Sequence, residues 1–413
     1  MKLEELKKYK KILVLGYGKE GRATEKFLKK YLPDATVGVA DKKTDPNYLD
    51  EQKNYDLVVR TPGIPRKLVT RRYTTATNIF LANIKNTVIG VTGTKGKSTT
   101  ASLIYSILTA AGKQVHLVGN IGHPALEKLL EPVEEGDIFV IELSSYQLDD
   151  VKYSPSIAVV LDLYPEHMNY HGSIQNYYNA KKNIIAYTSE GGYFIYNPRF
   201  EELKNWTKGI KCKTIPFEEK LDIQSRDIPL LGEHNRDNIR AAITVSRLFG
   251  VKDETIRRAI KAFKPLPHRL ELVGTFKGIT FYDDAISTTP ESTIFAIKTL
   301  KNVGTIFLGG TDRGYQFKDL VKEVLESKIR NVVLFPDSGD KIYQIIKSDC
   351  KDSLPRLLKT KSMEEAVKFT YRYTPKGMMC LLSCASPSYS LWKNFEEKGA
   401  EFQKTVKKHG LSE

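Results

Sequence analysis

The sequence predicts a three-domain α/β protein, and three observations predict it. A glycine-rich turn, "GYGKEG" (16–21), interrupts a strand-then-helix pattern near the start of the chain. A second one, "GTKGKST" (93–99), does the same further on. After a proline-rich break, "KPLPHR" (264–269), apolar strands and amphipathic helices alternate again to the end. The N-terminal domain (1–86) is therefore Rossmann-like. The central domain (87–266) is of the phosphate-loop ATPase type on a parallel sheet, and the C-terminal domain (267–413) is again Rossmann-like α/β.

In order, "KILVLGYG" reads as a buried strand entering a glycine turn, and "KEGRATEKFLKKYL" as the helix after it. "ATVGVADKK" is a second strand ending at Asp41, about twenty residues after the glycine loop, where a ribose-binding acid is expected. "YDLVVRTPGIP" is a third, closing on a Thr-Pro-Gly turn. The central unit opens with "NTVIGVTGTKGKSTTASLIYSILTAAG" and continues with the apolar strands "DIFVIELSS" and "PSIAVVLDL". "GEHNRDNIRAAITVSRLFG" has a helix pattern ending at glycine. Beyond the break, "GITFYDDA", "VGTIFLGG", "RNVVLFP" and "MMCLLS" are strands, separated by the helical "PESTIFAIKTL", "FKDLVKEVLES" and "SMEEAVKFTYRY".

A length of 413 residues gives room for several cores, and 41% hydrophobic with 27% charged residues is ordinary for a soluble globular chain. The charged start "MKLEELKKYKK" and the short run "ILVLG" read as a buried strand, not a signal peptide, and no apolar run is long enough for a membrane. Cys212, Cys350, Cys380 and Cys384 lack metal-site spacing and read as reduced thiols, so a cytoplasmic location is expected. The net charge of +15 is spread along helices, as on a solvated lysine-rich surface, and not gathered into a nucleic-acid-binding tail.

In "GTKGKST" a strand ends and a helix begins. The glycines let backbone N–H groups turn toward an anion, and the helix N-terminus adds partial positive charge. Lys97 can reach terminal phosphates, and the Ser98 hydroxyl is placed for Mg²⁺. The usual first glycine is replaced by Val91, so the glycine comes late, at Gly93. Glu142 in "VIELSSYQL" and His167 in "LDLYPEHMNYHG" follow the next two strands, at the sheet edge where ligands bind. A lone acid or histidine there is more often structural. Two at successive strand ends beside a phosphate loop point to a metal-assisted nucleotide site.

These residues, with "GNIG" (119–122), "ELSSYQL" (142–148), "EHMNYHGSIQNYYNAK" (166–181), "GEHNRDN" (232–238), "PHRLE" (267–271) and "DDA" (283–285), resemble the Mur ligases of peptidoglycan synthesis over essentially the whole chain. The nearest likeness is to the branch that adds glutamate to UDP-N-acetylmuramoyl-L-alanine. In that family the late glycine is normal. The resemblance implies an ADP-forming ligase working through an acyl phosphate, with ATP and two Mg²⁺ ions. It implies ATP contacts from Gly93, Thr94, Lys95, Gly96, Lys97, Ser98, Thr99, Asn235, Asn238, Arg269 and Asp284. Ser98, Glu142, His167 and Lys181 would serve the metals, and Lys97, Glu142, His167 and Lys181 the chemistry. Lys181, in "YNAKK", would be carbamylated by CO₂. Gly16, Tyr17, Gly18, Asp41, Thr61, Gly63, Asn120 and His167 would hold the UDP substrate, and Thr288, Arg313, Ser388 and Tyr389 the amino acid. A monomer is expected, without nucleic acid or membrane insertion.

The amino-acid end departs from the family pattern. "DDAISTT" stands where many such ligases have D-S-K-A-T-N, and Arg313 in "GGTDRG" replaces a lysine. D-glutamate is the first reading, and L-glutamate stays open. A folylpolyglutamate-synthase-like ligase would leave the "GYGKEG" domain unexplained. A regulatory phosphate-loop protein would have no use for Glu142, His167 and Lys181 together.

Overall fold

The structure, a computed structural model, describes residues 1–217, 223–224, 227–230, 232–349 and 354–411. The chain packs as two compact units, Met1–Phe263 and Lys264–Glu413. The division falls at the proline-rich break.

The first unit holds two parallel sheets. In the first, β1 (Lys11–Leu15), β2 (Thr36–Ala40), β3 (Leu57–Arg60) and β4 (Tyr73–Thr75) lie in the order β2-β1-β3-β4. The last four residues of β1 and all of β3 are buried, because helices and loops cover both faces of a parallel sheet. The second contains β5 (Thr87–Thr92), β6 (Val115–Gly119), β7 (Ile138–Glu142), β8 (Ile157–Val160), β9 (Tyr193–Tyr196) and β10 (Lys213–Pro216), in the order β10-β9-β8-β5-β7-β6. The order reverses around β1 in one sheet and around β5 in the other. Both glycine loops thus leave a strand at a topological switch point, where neighbouring connections diverge and open a crevice. One apolar cluster joins the sheets: Val14, Phe27, Val59 and Phe80 pack with Phe139, Ile141 and Val160. Each such side chain stabilises the unit by about 1.5–3 kcal/mol on burial. A second cluster, with Val91, Ile104 and Ile239, fills the other face of the central sheet.

The second unit carries β11 (Glu271–Phe276), β12 (Ile279–Asp283), β13 (Val303–Gly309), β14 (Asn331–Phe335), β15 (Arg356–Lys359) and β16 (Met379–Leu382), ordered β11-β12-β16-β13-β14-β15. All pairs are parallel except β11 with β12. The strands expected from sequence are present. β4, β6, β9, β10, β11 and β15 were not expected. β4, β9, β10 and β15 span only three or four residues, and β10, β11 and β15 have no buried position, so their hydrophobic pattern is weak. Cys212, Cys380 and Cys384 are buried free thiols, while Cys350 lies outside the described residues. Among the described residues no helix is long and apolar enough to cross a membrane.

Candidate functional site

The turn after β5 runs into the helix Lys97–Ala110, with Gly96 as its N-cap at φ 79°. A Cβ on Gly96 would come within 2.1 Å of Asn238 Oδ1, and one on Gly93 (φ 156°) within 2.9 Å of Leu161 Cβ, so only glycine fits either place. Asn238 is itself held by its amide, which donates to Asn235 Oδ1 at 2.8 Å. The first N–H groups of the helix have no partner within it, so the turn presents donors and a positive dipole end together.

Lys97 and Lys181 converge on this turn. Lys97 Nζ donates to the carbonyls of Gly93 (3.2 Å) and Thr94 (2.9 Å), and Lys181 Nζ donates to Gly93 O at 2.6 Å. Lys181, in the helix Ile174–Lys182, is 1% exposed, whereas its neighbour Lys182 faces solvent. Burial, and then the charge of Lys97, hold the Lys181 amine well below its ordinary pKa. Burial likewise lowers Lys97. Two cations cannot share a dry site cheaply, so the charge of Lys97 lowers the Lys181 pKa beyond the effect of burial.

Acids face these amines from the ends of two strands, β7 and β8. Glu142, the last residue of β7, is 5% exposed, and its Oε2 is buried without a hydrogen-bond partner. A buried carboxylate oxygen without a hydrogen-bond partner is available to a ligand or a metal ion. Asp162, just past β8, accepts from the N–H groups of Thr94 (2.5 Å) and Lys95 (2.8 Å) through Oδ1. Burial raises its pKa, opposed by those bonds and by Lys97 and Lys181. Glu166 accepts from Lys95 Nζ at 2.6 Å, and that partner outweighs burial and keeps it ionised. His167 sits at φ 59°, a conformation that costs a non-glycine residue about 1–3 kcal/mol and is found mostly at functional sites. Burial lowers its pKa despite Glu166. Ser98 and Thr99 lie in the first helical turn, Ser98 half-buried and Thr99 buried.

The "SSYQ" motif after β7 has a local reason. Ser144 and Gln147 form a capping box that starts the helix Ser145–Leu148. Ser145 Oγ is 3.0 Å from His171 Nε2, and Asn120, which is exposed, donates to Gln147 Oε1 at 3.3 Å.

At the other glycine loop, Gly16 (φ 93°) packs against Thr61, whose Oγ1 would lie 2.0 Å from a Cβ there. Gly18 and Gly63 have open space where a side chain would be. Asp41 is occupied: Oδ2 accepts from Tyr17 N–H (2.6 Å) and Oδ1 from Lys43 N–H (2.8 Å), which hold its pKa low and fix the loop.

Within the second unit, the ends of β12, β16 and β13 carry the remaining residues. Asp284 is buried, accepts from Ser383 Oγ at 2.7 Å, and is pushed up to about 6 by burial against the pull of Ser383 and Arg269. Thr288 precedes the helix Pro290–Thr299 and is half-buried. Ser388 is 3% exposed with its Oγ unpartnered, and the Arg313 guanidinium stands 5.8 Å from the Tyr389 ring centre. Thr311 Oγ1 is also buried and unpartnered, and its N–H donates to Pro387 O at 2.8 Å beside Ser388. Sequence reasoning missed Thr311 and Asp162. A carboxylate just past an apolar strand was the available signal for Asp162.

A phosphate loop with metal-ready acids on a parallel switch-point sheet defines a nucleotide-using class of enzyme. Residues 91–227 match the family model "Mur ligase middle domain". The chain is 33% identical over 444 residues to a UDP-N-acetylmuramoylalanine–D-glutamate ligase of Streptococcus pyogenes serotype M4, covering 96% of each. It is 31% identical over 466 residues to the enzyme of the same name from Ligilactobacillus salivarius, covering 99% of this chain and 98% of that one. Among solved structures, MurF ligase from Thermotoga maritima, in complex with ADP, has a similar fold, with TM-score 0.63 and 19% identity over 96% of this chain and 95% of that one. A pseudomurein peptide ligase type C from Methanothermus fervidus gives TM-score 0.58 and 18% identity over 97% and 100%. The chain belongs to the Mur ligase family.

Proposed function

We propose that the chain is an ADP-forming ligase that joins D-glutamate to the alanine carboxylate of UDP-N-acetylmuramoyl-L-alanine. The observation that carries it is the buried Lys181 amine, held against Gly93 O of the phosphate loop beside Lys97, in a chain whose full-length relatives bear that activity in their names.

The loop from Gly93 to Thr99 cradles the phosphates of ATP, with Asn235 and Asn238 toward its base. A carboxylate attacking a triphosphate is anion meeting anion, and Lys97 lowers that repulsion from a water-poor site. Mg²⁺ fits the donor set of Ser98, Glu142 and His167, because the buried Glu142 Oε2 has no hydrogen-bond partner and a hydroxyl stands at the helix start. When bound, the metal supplies further charge neutralisation. A neutral amine is the form that adds CO₂: an N–C bond forms, the nitrogen releases one proton to solvent, and the neutral Lys181 amine becomes an anionic carbamate that would suit a second metal. The alanine carboxylate takes the γ-phosphoryl group and ADP leaves. The glutamate amine then attacks the acyl carbon and phosphate departs. Uridine diphosphate is a handle held by Gly16, Tyr17, Gly18, Thr61 and Gly63, with Asp41 fixing the loop and Asn120 and His167 toward the muramoyl-alanine end. In the second unit Arg269 and Asp284 serve the nucleotide, and Thr288, Arg313, Ser388 and Tyr389 receive the amino acid.

Phosphate release tests this. With ATP, Mg²⁺ and UDP-N-acetylmuramoyl-L-alanine, D-glutamate is expected to start release. Release with L-glutamate alone would shift the reading to the L-isomer, which Arg313 beside Tyr389 leaves chemically open. No release with either isomer overturns the ligase reading.

A further inference from the structure

The first glycine loop carries an acid that a diphosphate seat does not explain. Glu20 is the second residue of the helix Lys19–Tyr31, in the same first turn that Gly16 and Gly18 open toward an anion. Its Oε2 accepts from Gln147 Nε2 at 3.1 Å. Its Oε1 is buried and has no hydrogen-bond partner.

The orientation of Gln147 is not free. Its Oε1 accepts from Ser144 N–H at 2.9 Å as part of the capping box, so its NH₂ group must be the end that meets Glu20. Glu20 Oε2 is therefore an acceptor, and a proton on Glu20 belongs on Oε1. The nearby cation does not replace that proton. Arg60 is buried and already committed, to Asp150 Oδ2 at 2.7 Å and to Ile64 O at 2.6 Å. The other groups of this seam are the Asp149 carboxyl, the Tyr73 and Tyr170 phenols, and Arg66, whose charge acts on Asp149 and Tyr73. Asp149 is raised by burial, then by Asp150, and Tyr73 and Tyr170 are raised by burial and stay neutral. On the helix itself Arg22 is turned to Tyr17 O, and Glu25 is paired with Lys29. Burial accordingly pushes the Glu20 carboxyl up to about 7, against the pull of Gln147 and Arg60.

We propose that Glu20 is a proton-carrying specificity residue of the diphosphate seat: a nucleotide diphosphate is accepted only while the Glu20 carboxyl is neutral, so its binding takes up a proton from solvent. The inference deepens the assignment of the first loop to a uridine diphosphate and rests on it. An ionised Glu20, with one oxygen buried and unpartnered, would place a further negative charge beside a dianion at the same helix N-terminus. Gln147 also receives Asn120, so Glu20, Gln147 and Asn120 form one hydrogen-bonded line from the first loop toward the central site.

Titration calorimetry of the full-length protein with UDP-N-acetylmuramoyl-L-alanine tests this, because that ligand has no ionisable group near neutrality. Runs at pH 6.5, 7.5 and 8.5, in buffers of different ionisation heat, report protons taken up. The wild type is expected to take up close to one proton above neutrality and to lose about tenfold in affinity per pH unit there. Glu20→Gln, which keeps the shape of the neutral acid, is expected to hold one affinity across the range with no uptake. Wild-type binding without proton uptake, or Glu20→Gln with the wild-type pH dependence, overturns the proposal while leaving the diphosphate seat intact. No binding by folded wild type at any pH overturns the seat itself, and this proposal with it.

Discussion

The two glycine loops are alike in shape and opposite in electrical surroundings. Each follows the strand at which its sheet reverses order, and each locks one glycine against a neighbour, Gly16 against Thr61 and Gly96 against Asn238. Around the second loop, Lys95, Lys97 and Lys181 interleave with Glu142, Asp162 and Glu166. Around the first, the anchoring acids are Asp41 and Glu20, and the buried Arg60 is spent on Asp150. A strand-loop-helix turn makes an anion seat almost by itself, since its donors are backbone groups. What happens to the anion is decided by the side chains behind it. A seat where amines and acids interleave can stabilise charge that moves in a reaction. A seat backed by acids can only hold.

This contrast can be broken most severely at Lys181. Replacement with Ala is expected to lower phosphate release by about 10³-fold, the upper range for losing one preorganised charged group, with partial recovery on adding short carboxylates. Unchanged turnover would show that the amine is only a core residue. Next come the locked glycines. Gly96→Ala and Gly16→Ala each force an L-residue into a positive-φ site against a neighbouring side chain, and each is expected to cost about 1–3 kcal/mol in urea unfolding. Gly96→Ala should abolish ATP binding and spare the UDP-substrate, and Gly16→Ala the reverse. Loss of both ligands in either variant would mean that the loops do not act separately. The smallest effect is expected at Gly18, where an added methyl meets nothing within 4 Å. Gly18→Ala should stay within about 0.5 kcal/mol of wild type, and a larger loss would show that the open space beside it is not as the structure describes.

Much of this was legible in the chain itself. The order of strands and helices around both loops followed from apolar runs of four to six residues bounded by glycine. The strands that escaped notice are of two kinds. Tyr73–Thr75 is three residues long, and Glu271–Phe276 alternates half-buried and exposed positions and contains Gly274. Neither carries enough apolar signal to stand above the background. The site was legible where chemistry is local, as in Gly93, Gly96, Lys97 and Ser98. It was not legible at Thr311 or Glu20, whose roles depend on distant partners, and at Asp162 the one signal was a carboxylate just past an apolar strand.

The sequence alone determined where the backbone must turn, because only glycine tolerates the conformations at positions 16, 93 and 96. It also determined which residues could cap a helix or end a buried strand, since those are matters of neighbours a few residues away. Tertiary structure decided the charge states. Lys181 and Lys182 are adjacent lysines in the chain. One loses its solvent against Gly93 and Lys97, and the other keeps it. Glu20 becomes an acid poised near neutrality because packing takes it out of water, against the pull of Gln147, some 127 positions away, and of Arg60. Burial and through-space charge set a proton's free energy, and neither exists until distant segments have packed.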